Sequence, residues 1–162
     1  MLKKTTLIVI MVFLLFFLPL ASQAQEKSLF ISGFAFYPMD SETIWESNSG
    51  VIWIEPTSPK GKLRAPVFLP EGAIIKKVIL RYKTQGDDIT FSMTLYRRNM
   101  YTDVEQVMAS MIAPLAVNYV NLATYSIAYR TVNNSGYCYY VVIDIPPSAR
   151  AARIAGVKIL YE

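Results

Sequence analysis

The chain has no histidine among its 162 residues. That absence excludes Ser-His-Asp and Cys-His activation of a nucleophile, and every His-based zinc or copper site. Cysteine is nearly as scarce, with Cys138 standing alone, so no internal disulfide can close. Set inside the apolar run Tyr137–Ile145, it reads as a buried small hydrophobe, with an intermolecular bridge as the alternative. No Lys/Arg run longer than two occurs, so the footprint of a nucleic-acid or anionic-membrane binder is missing. An evenly solvated charged surface is expected instead, and no nucleic-acid partner.

Long apolar runs are limited to Leu7–Leu20, fourteen residues against the roughly 20 that a spanning helix needs. Lys3 and Lys4 precede it, Pro19 lies near its end, and Ser22-Gln23-Ala24 supplies small residues where a signal peptidase reads. Residues 1–24 are therefore expected to be a cleaved signal peptide, with the mature protein starting at Gln25. No cysteine follows the run, which argues against a lipid anchor. The remaining residues 25–162 are enough for one domain with a normal core. They contain no membrane-spanning stretch, and the expected location is secreted, periplasmic or on the cell surface. Loss of Lys3 and Lys4 lowers the formal charge from +4 to +2.

What the chain does have is alternation. In Lys77–Arg98, Val78, Leu80 and Tyr82 alternate with Lys77, Arg81 and Lys83. After Gly86-Asp87-Asp88, Ile89, Phe91, Met93 and Leu95 alternate with Thr90, Ser92, Thr94 and Tyr96. Period two puts one face on a core and the other in water, and the intervening turn residues predict a β-hairpin. Similar short runs recur at Leu29–Phe36, Ile44–Glu46, Val51–Ile54, Leu63–Leu69, Val120–Arg130, Tyr137–Ile145 and Ile154–Tyr161. Pro66 confines its strand to an edge or a bulge, and Asn133–Gly136 predicts a second hairpin turn. Between Asp103 and Val117, Val104, Val107, Met108, Met111, Ile112 and Leu115 follow helical spacing, although a strand reading of the same segment exists. About eight to nine short strands without a βαβ pattern define an all-β antiparallel β-sandwich. Jelly-roll-like topology is expected, because the Cys…Trp…Cys spacing of immunoglobulin domains is absent.

Several short motifs carry a resemblance. They are Phe36-Tyr37-Pro38-Met39-Asp40-Ser41-Glu42-Thr43, Ala65–Ala73, Met93–Arg98, Met108-Ala109-Ser110, Tyr137–Pro147 and Gly156-Val157-Lys158-Ile159. In their order the chain resembles an uncharacterised family of exported bacterial β-sandwich domains. That resemblance implies a strand over Glu105–Ile112, and it brings no activity, cofactor or functional residue.

Carboxylates group at Asp40, Glu42 and Glu46, at Asp87 and Asp88, and at Asp103 and Glu105. Paired acids across a cleft can hydrolyse glycosides, but turns are ordinary places for acids, and no enzymatic activity is expected. Loop oxygens also suit calcium, so calcium is a possible ion although no calcium motif is present, and no other cofactor is expected. Trp45 and Trp53 flank Asn48-Ser49-Gly50, with Tyr37 upstream. Exposed, these three rings could stack on sugar; the alternative is that the tryptophans fill the core. Strand Tyr137–Ile145 is apolar on both parities, and tyrosine favours surfaces that become partly buried. Tyr119, Tyr125, Tyr129 and Tyr140 are therefore candidates for a homo-oligomer face. The main expectation is an extracellular binding or assembly module acting through tyrosines. Carbohydrate binding through Tyr37, Trp45 and Trp53 is the alternative, with a glycan or cell-surface partner.

Overall fold

A computed structural model describes residues 25–55, 57–58, 61–84, 90–146 and 152–162. The expected signal peptide and the Gly86-Asp87-Asp88 turn lie outside the described residues. Among the described residues eleven strands form: β1 (Lys27–Ser32), β2 (Tyr37–Pro38), β3 (Trp45–Asn48), β4 (Val51–Ile54), β5 (Lys62–Val67), β6 (Ile75–Lys83), β7 (Phe91–Asn99), β8 (Glu105–Ala113), β9 (Val120–Thr124), β10 (Tyr137–Asp144) and β11 (Arg153–Tyr161). The count exceeds eight or nine because pairing also defines pieces as short as the two-residue β2.

Two antiparallel sheets face each other. The first runs β3-β4-β11-β6-β9, with β1 also paired to β11; the second runs β2-β5-β10-β7-β8. This is the expected all-β, jelly-roll-like sandwich. Alternation sends Ile52, Ile54, Val78, Leu80, Ile154, Val157 and Ile159 inward from the first sheet. Leu63, Ala65, Met93, Leu95, Val141 and Ile143 meet them from the second. Tyr82 joins the layers: its ring meets Phe91 edge-on at 5.1 Å, and its hydroxyl donates to the Pro114 carbonyl at 2.8 Å.

Three expectations change. The arms on either side of Gly86-Asp87-Asp88 do not pair with each other. β6 pairs with β11 and β9, whereas β7 pairs with β10 and β8, so the chain crosses between sheets there. The same holds at Asn133–Gly136. That turn is built by the Asn133 Oδ1, which accepts from the Ser135 and Gly136 amides at 3.1 Å each, but it connects β9 of one sheet to β10 of the other. Alternation fixes which face a strand buries and leaves its partner open, which is why both segments read as hairpins.

The helical spacing at 103–117 is likewise a strand, β8, as the family resemblance implied. Opposite Leu95 and Tyr96, β8 carries an irregularity that leaves Met108 as an extra residue between Val107 and Ala109. Such a bulge shifts the period by one, so Met108 and Ala109 are both buried while Val107 faces out. The resulting 104-107-108-111 spacing imitates a helix.

Candidate functional site

The outer face of the second sheet carries a groove. Arg64 and Pro66 project outward from β5, Cys138 and Tyr140 from β10, and Tyr96 and Arg98 from β7, because each occupies the parity opposite its strand's core residues. Register aligns them: Pro66, Tyr140 and Tyr96 form one cross-strand row, Cys138 and Arg98 another. Tyr37 on β2 lies opposite Arg64. At Pro66 the missing amide hydrogen is harmless, since β2 pairs only with Leu63 and Arg64. The groove has a volume of about 430 Å³, and Phe68 and Asn134 close its rim. Asn134 is fixed by its Nδ2, which donates to the Leu69 carbonyl at 3.0 Å.

Tyr140 is the centre. Its ring stacks on Tyr96 at 5.4 Å, 21° from parallel, and the Arg64 guanidinium lies 4.4 Å from its centroid. The side chains of neighbouring strands, rather than a covering segment, thus bury this second face of β10. Tyr140 is only 6% exposed, yet its hydroxyl has no hydrogen-bond partner among the described residues; Arg64 Nε and Arg98 Nε are buried and unpartnered too. Arg98 uses an Nη to hold Asp103 at 2.5 Å. Burial and the nearby Glu105 carboxylate push the Tyr140 phenol pKa well above its ordinary value, while Arg64 and Arg98 oppose the rise. The Glu105 carboxylate lies close enough to act on the phenol, although the two form no hydrogen bond of regular geometry.

Beside this buried trio stand two open rings, Phe68 at 80% and Tyr37 at 48% exposure. Chemically the groove offers apolar faces together with donors that lack acceptors, the combination that orients a polar ligand in a mostly apolar pocket.

The residues expected from sequence are distributed as follows. Tyr37 and Tyr140, placed in different groups by the sequence reading, share this groove. Trp45 and Trp53 lie on the β3–β4 hairpin of the other sheet. Trp45 opposes buried Ile54 while Trp53 opposes exposed Glu46, so the two indoles point to opposite faces. Neither fills the core: Trp45 is 38% exposed, and Trp53 is half-buried, its indole N–H donating to Glu55 at 3.0 Å. Tyr119 and Tyr125 flank β9 on the first sheet's outer face. Tyr129, at φ 52°, covers the Arg97 guanidinium at 3.6 Å, with Tyr137 also 4.3 Å from it. The four tyrosines thus do not occupy one face.

Cys138 is exposed on the groove wall rather than buried, because it shares Tyr140's outward parity at the end of β10. The Asp40 carboxylate accepts from the amides of Glu42 and Thr43 and from the Thr43 hydroxyl, shaping a turn. Among the described residues, no three Cys, Asp or Glu side chains converge as metal ligands. Sequence reading missed Arg64, Phe68 and Arg98. The signal available was parity: Arg64, Pro66 and Phe68 alternate with Leu63, Ala65, Val67 and Leu69.

Tyr82, Tyr139 and Tyr140 all have phenol pKa values raised chiefly by burial. Below pH ~10 both folded and unfolded states keep these protons, so stability does not respond to them. Above it the unfolded tyrosines ionise first, and each should remove about 1.4 kcal/mol per pH unit until its folded pKa is reached. Urea unfolding between pH 9 and 11 should show this loss, with Tyr140→Phe lowering the slope by about one proton. Equal slopes in the two proteins would contradict the burial of that phenol.

No family model and no curated protein matches the chain in sequence. Solved structures do match, and what they share with this chain is the β-sandwich fold. One is the xylanase 10B of Clostridium thermocellum, CBM22-1–GH10 modules complexed with xylohexaose, at TM-score 0.52 and 15% identity over 85% of this chain. Another is the GH26-CBM35 β-(1,4)-mannanase of Podospora anserina, at 0.50 and 8% over 85%. The present chain spans 28% of each of those two chains. A third is the carbohydrate binding module CBM6cm-2 of Cellvibrio mixtus lichenase 5A in complex with cellotriose, at 0.48 and 12%, covering 81% of this chain and 95% of that one.

Proposed function

We propose that this protein is a non-catalytic carbohydrate-binding module that holds a glycan on the outer face of the second sheet. The observation that carries the reading is the buried, unpartnered Tyr140 hydroxyl, with Arg64 Nε and Arg98 Nε, in a groove rimmed by exposed Phe68 and Tyr37. A pyranose is amphipathic in the same way: its C–H face packs on aromatic rings, and its hydroxyls supply the acceptors that these groups lack. Leaving buried polar groups unpaired costs about 1–3 kcal/mol each, a cost that a bound sugar relieves where a shift of the covering side chains lets its hydroxyls reach them. The fold shared with the xylanase and mannanase modules supports the reading. Assembly through tyrosines is supported less, since Tyr119 and Tyr125 lie on one sheet and Tyr140 on the other. Export by a cleaved leader, residues 1–24, accompanies the proposal, as does the resemblance to exported β-sandwich domains. Among the described residues no helix is long and apolar enough to cross a membrane.

Affinity electrophoresis through xylan, mixed-linkage β-glucan and mannan tests the reading. Retardation on at least one is expected, with Arg64→Ala and the double variant Tyr37→Ala/Phe68→Ala each weakening it at least tenfold in protein that keeps its native near-UV circular dichroism. Migration unaffected by every glycan, or retardation indifferent to both variants, overturns it.

A further inference from the structure

The absence of Lys/Arg runs predicted an even charge distribution, but β-geometry produces a segregated one. On the outer face of the first sheet, β6 projects Lys77, Arg81 and Lys83, and neighbouring β11 adds Arg153 and Lys158. Cations two or four residues apart are not a run in sequence, yet they share one face of a strand. Strands β1, β6, β9 and β11 contain no Asp or Glu. The ion pairs among the described residues join Lys62 to Asp144, Lys76 to Glu162 and Arg98 to Asp103, and use none of the five. Acids border this face: Glu46 and Glu55 flank Trp53 at its β3–β4 margin, and Glu162, paired with Lys76, lies at the end of β11.

Four of the five cations are held against rings, and Lys158 stands exposed beside them. Lys77 Nζ lies 4.7 Å from the Tyr125 ring, Lys83 Nζ 5.1 Å and Arg81 5.6 Å from Tyr119, and Arg153 5.2 Å from Trp53. Arg81 also donates to Asn121 Oδ1 at 3.4 Å. Arg153 and Lys83 stand directly opposite each other across β11 and β6, an arrangement that destabilises a sheet and that a merely solvated face has no reason to keep. Between the rows, Phe30, Ile79, Arg81, Asn121, Gly156 and Lys158 line a shallow trough of about 290 Å³.

We propose that this face is a second binding surface, for an acidic polysaccharide bearing carboxylate or sulfate groups. Cations stand one inter-strand step of about 4.8 Å apart between β6 and β11, and about 7 Å or twice that apart along β6, which suits charges strung along an extended sugar chain. Single-stranded nucleic acid needs open aromatic faces for its bases; Tyr119, Tyr125 and Trp53 already carry the protein's own cations. Duplex readout needs an element that enters a groove, and four sheet strands side by side are too broad. A bilayer would be met by an amphipathic helix or a polybasic cluster, neither of which this face contains.

The test uses the full chain as secreted, with polygalacturonate and dextran sulfate as probes and uncharged dextran as control. Binding is expected at 20 mM NaCl and should weaken steeply at 200 mM, because it rests on exposed charge. Lys77→Glu/Arg81→Glu/Lys158→Glu should reduce it at least 50-fold, and the milder Lys77→Gln/Lys158→Gln at least fivefold, both at native near-UV circular dichroism. Arg64→Ala, which disables the opposite groove, should leave polyanion binding unchanged, so the two sites fail independently. No binding to either polyanion, binding indifferent to the glutamine variant, or tighter binding to duplex DNA or to phosphatidylglycerol vesicles at equal charge overturns the proposal.

Discussion

Replacing Tyr140 by alanine should destabilise the sandwich by about 3 kcal/mol and abolish glycan retention. Tyr140→Phe should leave it about 1 kcal/mol more stable and still weaken retention about tenfold. The two substitutions separate the ring from the hydroxyl. The ring is structural: Tyr96 stacks on it and the Arg64 guanidinium lies against it, so its removal strands an arginine and opens a void on the outer face of a central strand. Among the described residues the hydroxyl makes no hydrogen bond of regular geometry, with Glu105 the carboxylate near it. Deleting it relieves an unmet desolvation penalty while the phenylalanine ring keeps both contacts. A group that weakens the fold and is nevertheless present calls for another role, and hydrogen bonding to a ligand supplies one. Chemical denaturation and affinity electrophoresis on the same preparations check both halves. A Tyr140→Phe protein that is less stable would mean the hydroxyl is satisfied in the fold. One that binds glycan as the parent does would remove Tyr140 from the site.

The contrast between ring and hydroxyl also marks what the sequence made legible. Period-two alternation identified strands and their buried faces, since inward Val78, Leu80, Met93 and Leu95 need only a repeat of two to be recognised. Pairing was not legible. β6 and β7 are each amphipathic enough to form a hairpin together, and only competition from β11 and β10 sends them to opposite sheets. The groove was half visible for the same reason. Tyr37 and Tyr140 stood out as aromatics, but they become neighbours through β5, which pairs with β2 on one side and β10 on the other. Arg64 and Arg98 looked like ordinary outward cations, and their unpartnered Nε atoms exist only once neighbouring side chains cover them. Trp45 and Trp53 attracted attention by size, yet their cross-strand partners place them on opposite faces of one hairpin.

Gly156→Ala should lower stability by about 3 kcal/mol and weaken polyanion binding with it, because this glycine sets the phase of β11. Ile154 pairs with Tyr82 and Gly156 with Arg81, so Ala155 is an extra residue, a β-bulge. Under strict alternation Arg153 and Lys158, five positions apart, would face opposite sides. The extra residue puts both outward while Ile154, Val157 and Ile159 all stay in the core. Gly156 adopts φ +150°, which L side chains avoid, and an added Cβ would press on the Ile31 carbonyl and come within 2.9 Å of the Phe30 ring. The Ile31 carbonyl does not yield easily, because β1 is paired to β11 from Lys27 to Ser32, whereas the exposed Phe30 ring can swing aside. Gly72→Ala is the control: it too has positive φ, +75°, but nothing lies within 4 Å of the point an added methyl would occupy, so only backbone strain of about 1 kcal/mol is expected. The difference between the two denaturation curves reads the crowding against the Ile31 carbonyl. Equal losses at the two glycines would show that β11 can shift to accept the methyl. Full polyanion binding by a folded Gly156→Ala protein would show that the phase of Lys158 does not depend on the glycine.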